Sequence, residues 1–186
     1  GYFYYVMELA DDQVVGQRIQ TADYTPRTLQ SEMSARGPLP AEECIDLGAQ
    51  LADALDYLHQ ENLVHRDIKP SNIVFVNGQP KLADIGLVAG SGMTSFSTGT
   101  LGFLPSEGTG GRAADVYALG KVLYEISTGK DRNAFPDLPA SARGLSGCEK
   151  LMQLNPLLLR ACRSARSTPP AHCAQRLAAV GCALCS

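Results

Sequence analysis

A mostly helical lobe, with one N-terminal strand and a small β-hairpin, is the fold class this sequence predicts. Three observations carry the prediction. Leu47, Leu51, Leu55 and Leu58 recur at three- and four-residue steps between Pro40 and His59, the apolar face of a long helix. Val116, Leu119, Val122, Leu123 and Ile126 do the same between Arg112 and Thr128, and Gly129 comes next as a C-terminal stop. Ile73–Val76 and Pro80–Ala83 flank Asn77-Gly78, a dipeptide that tolerates the positive φ angles of a two-residue hairpin turn. With 186 residues, 45% of them hydrophobic, the chain can bury one sizeable core, so a single domain is expected.

The remaining elements can be taken in chain order. Tyr2–Met7 is aromatic and β-branched, which suits a buried strand. Glu8–Tyr24 is polar and carries Gly16, so it reads as a connector. Thr25-Pro26 looks like an N-cap followed by proline at the first helical position, with Gly37 ending that helix. Gly86–Gly111 is rich in Gly, Ser and Thr and lacks an apolar stripe, which makes it a long functional loop. Asp137–Gly147 is another loop. Cys148–Arg163 returns to helix through Leu151, Leu154 and Leu158, and Pro169-Pro170 interrupts the segment beyond it.

The net charge of −3 and pI near 5.6 argue against a general nucleic-acid binder. No apolar run spans a bilayer, and Leu177–Cys185 is too short to do so. Cys44, Cys148 and Cys162 read as buried thiols. Cys182-x-x-Cys185, with His172 and Cys173 upstream, does not have the spacing of a standard zinc module. Nothing resembles a secreted disulfide framework, so a reducing cytoplasm is expected. The first residue is Gly1 rather than Met, and the chain reads as a piece of a longer protein.

The chemistry concentrates in His65-Arg66-Asp67-Ile68-Lys69-Pro70-Ser71-Asn72. Phosphoryl transfer asks a protein mainly for positioning and charge stabilisation. Asp67 supplies a carboxylate to orient an attacking hydroxyl and accept its proton. Lys69 can neutralise a moving phosphate, and the amide oxygen of Asn72 can ligate magnesium. Asp84, in Asp84-Ile85-Gly86 just past the hairpin, is a second magnesium ligand candidate, and Gly86 gives the backbone freedom beside it. His59, at the end of its helix, has a structural role.

In this order, these motifs and Pro105-Ser106-Glu107 resemble the C-terminal lobe of a Hanks-type serine/threonine protein kinase in the bacterial style, from about Tyr2 to about Arg163. The resemblance implies a mainly α, α+β lobe entered at a hinge strand, with the N-terminal lobe absent from this chain. It implies ATP and magnesium as cofactors, protein Ser/Thr hydroxyls as substrates, and a partnership with the N-lobe of the parent. Asp67 then becomes the catalytic base, Lys69 the phosphate-contacting lysine, and Asn72 and Asp84 the metal ligands. In the hinge-like Tyr5-Val6-Met7-Glu8-Leu9-Ala10, Met7 takes the gatekeeper place, Glu8 and Ala10 offer backbone groups to adenine, and Val74 forms part of the adenine floor. Thr100, in Gly99-Thr100-Leu101-Gly102-Phe103, falls near Asp67 and Lys69. Glu107 matches the Glu of an A-P-E motif, Asp115 resembles the buried helix Asp that braces the catalytic-loop backbone, and His65 is implied to be structural. Arg66 before the base implies control by activation-loop phosphorylation, for which Thr94, Ser95, Ser97 and Thr98 are the candidate hydroxyls.

The sequence departs from the pattern in places. Ile85 stands where Phe is usual, and Ser106 where Pro is usual. The glycine-rich loop, strand lysine and helix glutamate of the upper lobe are expected to be missing, so the chain alone is expected to be inactive. The arginine that would pair with Glu107 is replaced by Arg163-Ser164-Ala165-Arg166, and residues 164–186 read as an atypical, aberrant tail. Two other functions compete with an active parent kinase. One is a pseudokinase or scaffold that only binds; the other is a non-functional fragment.

Overall fold

The structure is a computed structural model that describes residues 6–19, 22–84, 100, 102–105, 111–138, 154–156, 158, 159, 161 and 162. Three helices and one hairpin build it: α1 (Leu29–Arg36), α2 (Ala41–Gln60), β1 (Ile73–Val76), β2 (Gln79–Leu82) and α3 (Arg112–Thr128). Further helical residues at 154–156, 158 and 159 bring Leu154 and Leu158 into the core. Leu151 and Cys148 lie outside the described residues, as does the 164–186 tail.

Helix α2 buries Leu47, Leu51, Leu55 and Leu58 against α3, which buries Val116, Leu119, Val122, Leu123 and Ile126. Gly48 lets the two helices approach: a Cβ there would sit 3.1 Å from a Leu123 methyl. Gly129 ends α3 in the left-handed region at φ 67°, and its N–H returns to the Glu125 carbonyl.

Helix α1 starts three residues later than the Thr25-Pro26 signal implies. Thr28 caps it instead: its hydroxyl accepts from Ser31 N–H, and the Ser31 hydroxyl accepts from Thr28 N–H. That reciprocal box satisfies two helix-end donors, which a proline start cannot match. Thr25 N–H is used elsewhere, donating to Asp12.

The hairpin has the register Ile73↔Leu82 through Val76↔Gln79, one residue tighter on the second strand than the sequence implies. Asn77 (φ 52°) and Gly78 (φ 74°) make the turn. All four β1 side chains are buried, but into two cores. Ile73 and Phe75 join the main cluster, while Val74 and Val76 join Ala10 and Ala83 in a small one. The expected entry strand is not borne out where it can be seen. Val6 and Met7 lie in irregular backbone, 90% and 49% exposed, because among the described residues no strand runs beside them to complete a ladder. Residues 2–5 of that segment lie outside the described residues.

Candidate active site

The catalytic-loop sequence runs between the end of α2 and the start of β1, and both flanks are held. Asp115 on α3 is 1% exposed and takes three bonds: from His65 N–H (2.9 Å), from Arg66 N–H (2.8 Å) and with His59 Nε2 (2.9 Å). A buried carboxylate without such partners would be costly, so Asp115 and the loop backbone hold each other in place. Burial pushes the fully buried His65 imidazole below its usual range, against the pull of Asp115 and the Ala83 backbone.

With its neighbours fixed, Arg66 adopts φ 71°, an uncommon conformation for a residue with a side chain. The Asp67 side chain then meets Lys69, Thr100 and Asn72. Lys69 Nζ lies 2.7 Å from Asp67 Oδ2, the Thr100 hydroxyl donates to Oδ1 at 2.9 Å, and Asn72 Nδ2 donates to Oδ2 at 2.9 Å. Lys69 also donates to Thr100 Oγ1 at 3.2 Å. Partial burial pushes the Asp67 carboxyl up, but Lys69, Thr100 and Asn72 together outweigh it and hold the group below its usual range. Asp67 is therefore ionised at neutral pH and pinned at both oxygens.

The Asn72 amide nitrogen also donates to the Asp67 carbonyl at 2.8 Å, which leaves the amide oxygen with the Ser71 hydroxyl at 3.5 Å. Asp84, at φ 53°, follows β2 at the same end of the hairpin as Asn72, where Ala83 N–H bonds back to the Asn72 carbonyl at 2.8 Å. An amide oxygen and a carboxylate are hard donors of the kind magnesium takes, so the residue types fit that ion. A small hollow of about 10 Å³, room for about one water, lies beside Asp67 and is lined by Arg66, Thr100, Phe103, Leu104 and Asp115 among others.

The structure therefore brings Asp67, Lys69, Asn72 and Thr100 together and ties His65 and Arg66 to Asp115. Ala10 and Val74 share the small apolar cluster, and Glu8 pairs with Lys81 on β2. Met7 is half exposed and not in that cluster. Gly86, Glu107, Thr94, Ser95, Ser97 and Thr98 lie outside the described residues, together with Ile85. Two groupings are not visible in the sequence. Asp11, only 6% exposed, accepts from both turn amides, Asn77 N–H (2.9 Å) and Gly78 N–H (2.8 Å). Arg132 pairs with Glu125 at 3.0 Å and lies 4.4 Å over the Phe103 ring. Apart from the Asp-Asp doublet at 11–12, no local signal announces either one.

A helical lobe with a small hairpin and a braced H-R-D loop defines a class, and residues 2–169 match the protein kinase domain. The chain belongs to the protein kinase family, in its Hanks-type, bacterial-like serine/threonine branch. It is 36% identical over 113 residues to serine/threonine-protein kinase PrkC of Bacillus subtilis, covering 55% of this chain and 17% of that protein. It is 33% identical over 130 residues to AfsK of Streptomyces coelicolor, covering 64% and 16%, and 36% identical over 114 residues to PknB of Mycobacterium leprae, covering 55% and 18%. The chain thus spans less than a fifth of the length of these relatives. Among the described residues, no helix is long and apolar enough to cross a membrane.

Proposed function

We propose that this chain is the C-terminal lobe, residues 1–163 from the hinge onward, of a cytoplasmic kinase domain that transfers the γ-phosphoryl group of ATP to Ser and Thr hydroxyls of proteins. One observation carries the reading: an ionised Asp67 held at both oxygens by Lys69, Thr100 and Asn72. A substrate hydroxyl entering beside Asp67 meets a carboxylate already aimed, so its orientation costs little at the moment of reaction. Proton acceptance falls to Asp67, and the Lys69 ammonium beside it stabilises negative charge on the phosphoryl oxygens. Thr100 holds the loop that receives the substrate against the base. Asn72 and Asp84 would hold magnesium, which would supply charge neutralisation on the phosphates of ATP. Adenine would lie against Val74 and Ala10, near Met7 and Glu8. His65, Gly86, Glu107 and Asp115 are supporting residues in this scheme. Phosphate on Thr94, Ser95, Ser97 or Thr98 would act through Arg66.

No lysine precedes Lys69 in the sequence. A strand lysine on the ATP phosphates therefore has to come from outside these residues, and the chain by itself transfers no phosphate. Residues 164–186 form an atypical tail in this reading. The test is γ-labelled ATP with magnesium and a generic protein substrate, using the intact parent protein. Asp67→Asn should lower transfer at least about a hundredfold. An intact parent that binds substrates but transfers nothing would make the lobe a pseudokinase scaffold instead.

A further inference from the structure

The contact between Thr100 and Asp67 joins two separate loops, so something must fix each loop relative to the other. On the Asp67 side the fixed point is Asp115 on α3, through His65 and Arg66 N–H. On the Thr100 side, Phe103 N–H donates to the Thr100 carbonyl at 3.1 Å, which closes a turn between them. Phe103 is 4% exposed, and its ring is covered by the Arg132 guanidinium at 4.4 Å.

Arg132 is itself fixed to α3 several times over. Its Nη1 and its backbone N–H both reach Glu125 Oε1, at 3.0 and 3.1 Å, and its carbonyl accepts from Lys121 Nζ at 3.0 Å. Glu125 is only 6% exposed, so a guanidinium that left would strand a buried carboxylate. A planar, delocalised cation can satisfy that carboxylate with its edge while covering a ring with its face, which a lysine ammonium cannot do equally well. The turn is shaped to receive it. Gly102 sits at φ 89°, and a Cβ there would lie 2.6 Å from Arg132 Nε. Any side chain at 102 would push the guanidinium off the turn.

We infer that Arg132 is a positioning residue: it clamps the Thr100–Phe103 turn to α3 and thereby sets Thr100 against Asp67 and Lys69. Helix α3 then serves as one rigid ruler with two posts, Asp115 and Glu125, ten residues or about 15 Å apart along its axis. The role assigned to Thr100 rests on the kinase reading; the clamp itself rests on the contacts above.

The experiment is amide hydrogen exchange and Thr100 methyl relaxation on the full chain, for Arg132→Gln, Phe103→Leu and Arg132→Lys. Arg132→Gln should speed exchange at the Phe103 amide at least about tenfold and lower the order of the Thr100 methyl. The helix-end amides of Cys44 and Leu63 should be unchanged. Phe103→Leu keeps an apolar side chain but removes the ring face, so it should act in the same direction, and it decides the matter if Arg132→Gln does not fold. Arg132→Lys should restore part of the protection. Unchanged exchange at Phe103, or equal acceleration of all amides, would overturn the inference. Neither readout requires phosphoryl transfer, so failure of the clamp and failure of the kinase reading are separate results.

Discussion

The two ends of the described molecule are held together by different physics. At the catalytic-loop sequence, Ile68 joins the apolar core of α2 and α3, and a single buried carboxylate, Asp115, collects the His65 and Arg66 amides. In the connector before α1, Val6, Leu9 and Val14 are 90%, 59% and 88% exposed. Order there comes from two adjacent carboxylates that gather backbone N–H groups. Asp12 accepts from Val14, Val15 and Thr25, and Asp11 accepts from Asn77 and Gly78. The catalytic loop is thus tied to the main core, whereas the connector is tied to the hairpin. The side of the site assigned to the base is braced from the core through Asp115, and the side assigned to nucleotide is shaped by local polar bonds over a small apolar cluster.

Substitution should separate the two regimes, and the largest effect is expected at Asp115. Asp115→Ala takes the acceptor from the buried His65 N–H, the part-buried Arg66 N–H and the buried His59 ring, and should cost about 3–5 kcal/mol in urea unfolding, at roughly 1–3 kcal/mol per unsatisfied group. A loss below about 1 kcal/mol would mean that the loop is not braced from α3. Asp11→Ala should cost less, about 1–2 kcal/mol, because water can reach the exposed turn it caps. Its signature is faster exchange at Asn77 and Gly78 with helix protection unchanged.

Proton linkage sharpens the contrast. Burial lowers the His65 pKa from its ordinary 6.5, so the unfolded chain binds the extra proton. Stability from this group is complete above pH 6.5 and declines as pH falls below it, by at most about 1.4 kcal/mol per unit. Thr25, Val15 and Val14 N–H groups hold the Asp12 carboxyl below its ordinary 3.8. Its contribution is present above pH 3.8 and is lost only as pH drops further. Loosening of the lobe should therefore begin at milder acidity than loosening of the connector, read by amide exchange from pH 7 to 3. Smallest of all, Arg36→Ala removes a half-exposed ion-pair fork to Glu32 and Glu43 that links α1 to α2. A loss under about 1 kcal/mol, shrinking with added salt, is expected in urea titrations.

Much of this is legible in the sequence because it is local. The leucine spacing of α2, the span of α3 and the Asn77-Gly78 turn each express a conformational preference within a few residues. The octapeptide is legible for the same reason: Asp67, Lys69 and Asn72 come from one loop, whereas Thr100 and Asp115, which also bond to that loop, do not. The start of α1 differs from its expected place because two capping signals sit three residues apart, and Thr28 with Ser31 satisfies more backbone than Thr25-Pro26 can. The strand expected over Tyr2–Met7 is not seen at Val6 and Met7, where no described strand lies alongside, and a β-rich composition cannot by itself supply that neighbour. Asp11 and Arg132 are not legible at all, since their partners lie 66 and 29 residues away in Asn77 and Phe103.

By itself the sequence determined the helices, the hairpin, the family and the residue types of the site, because periodicity, turn chemistry and a contiguous motif are short-range properties. Only the tertiary structure decided that Asp67 is pinned at both oxygens, that Asp115 gathers the loop's amides and that Glu125 reaches Phe103 through Arg132. Those outcomes depend on which distant groups share a desolvated space, where a buried charge must find its partners or be paid for in stability.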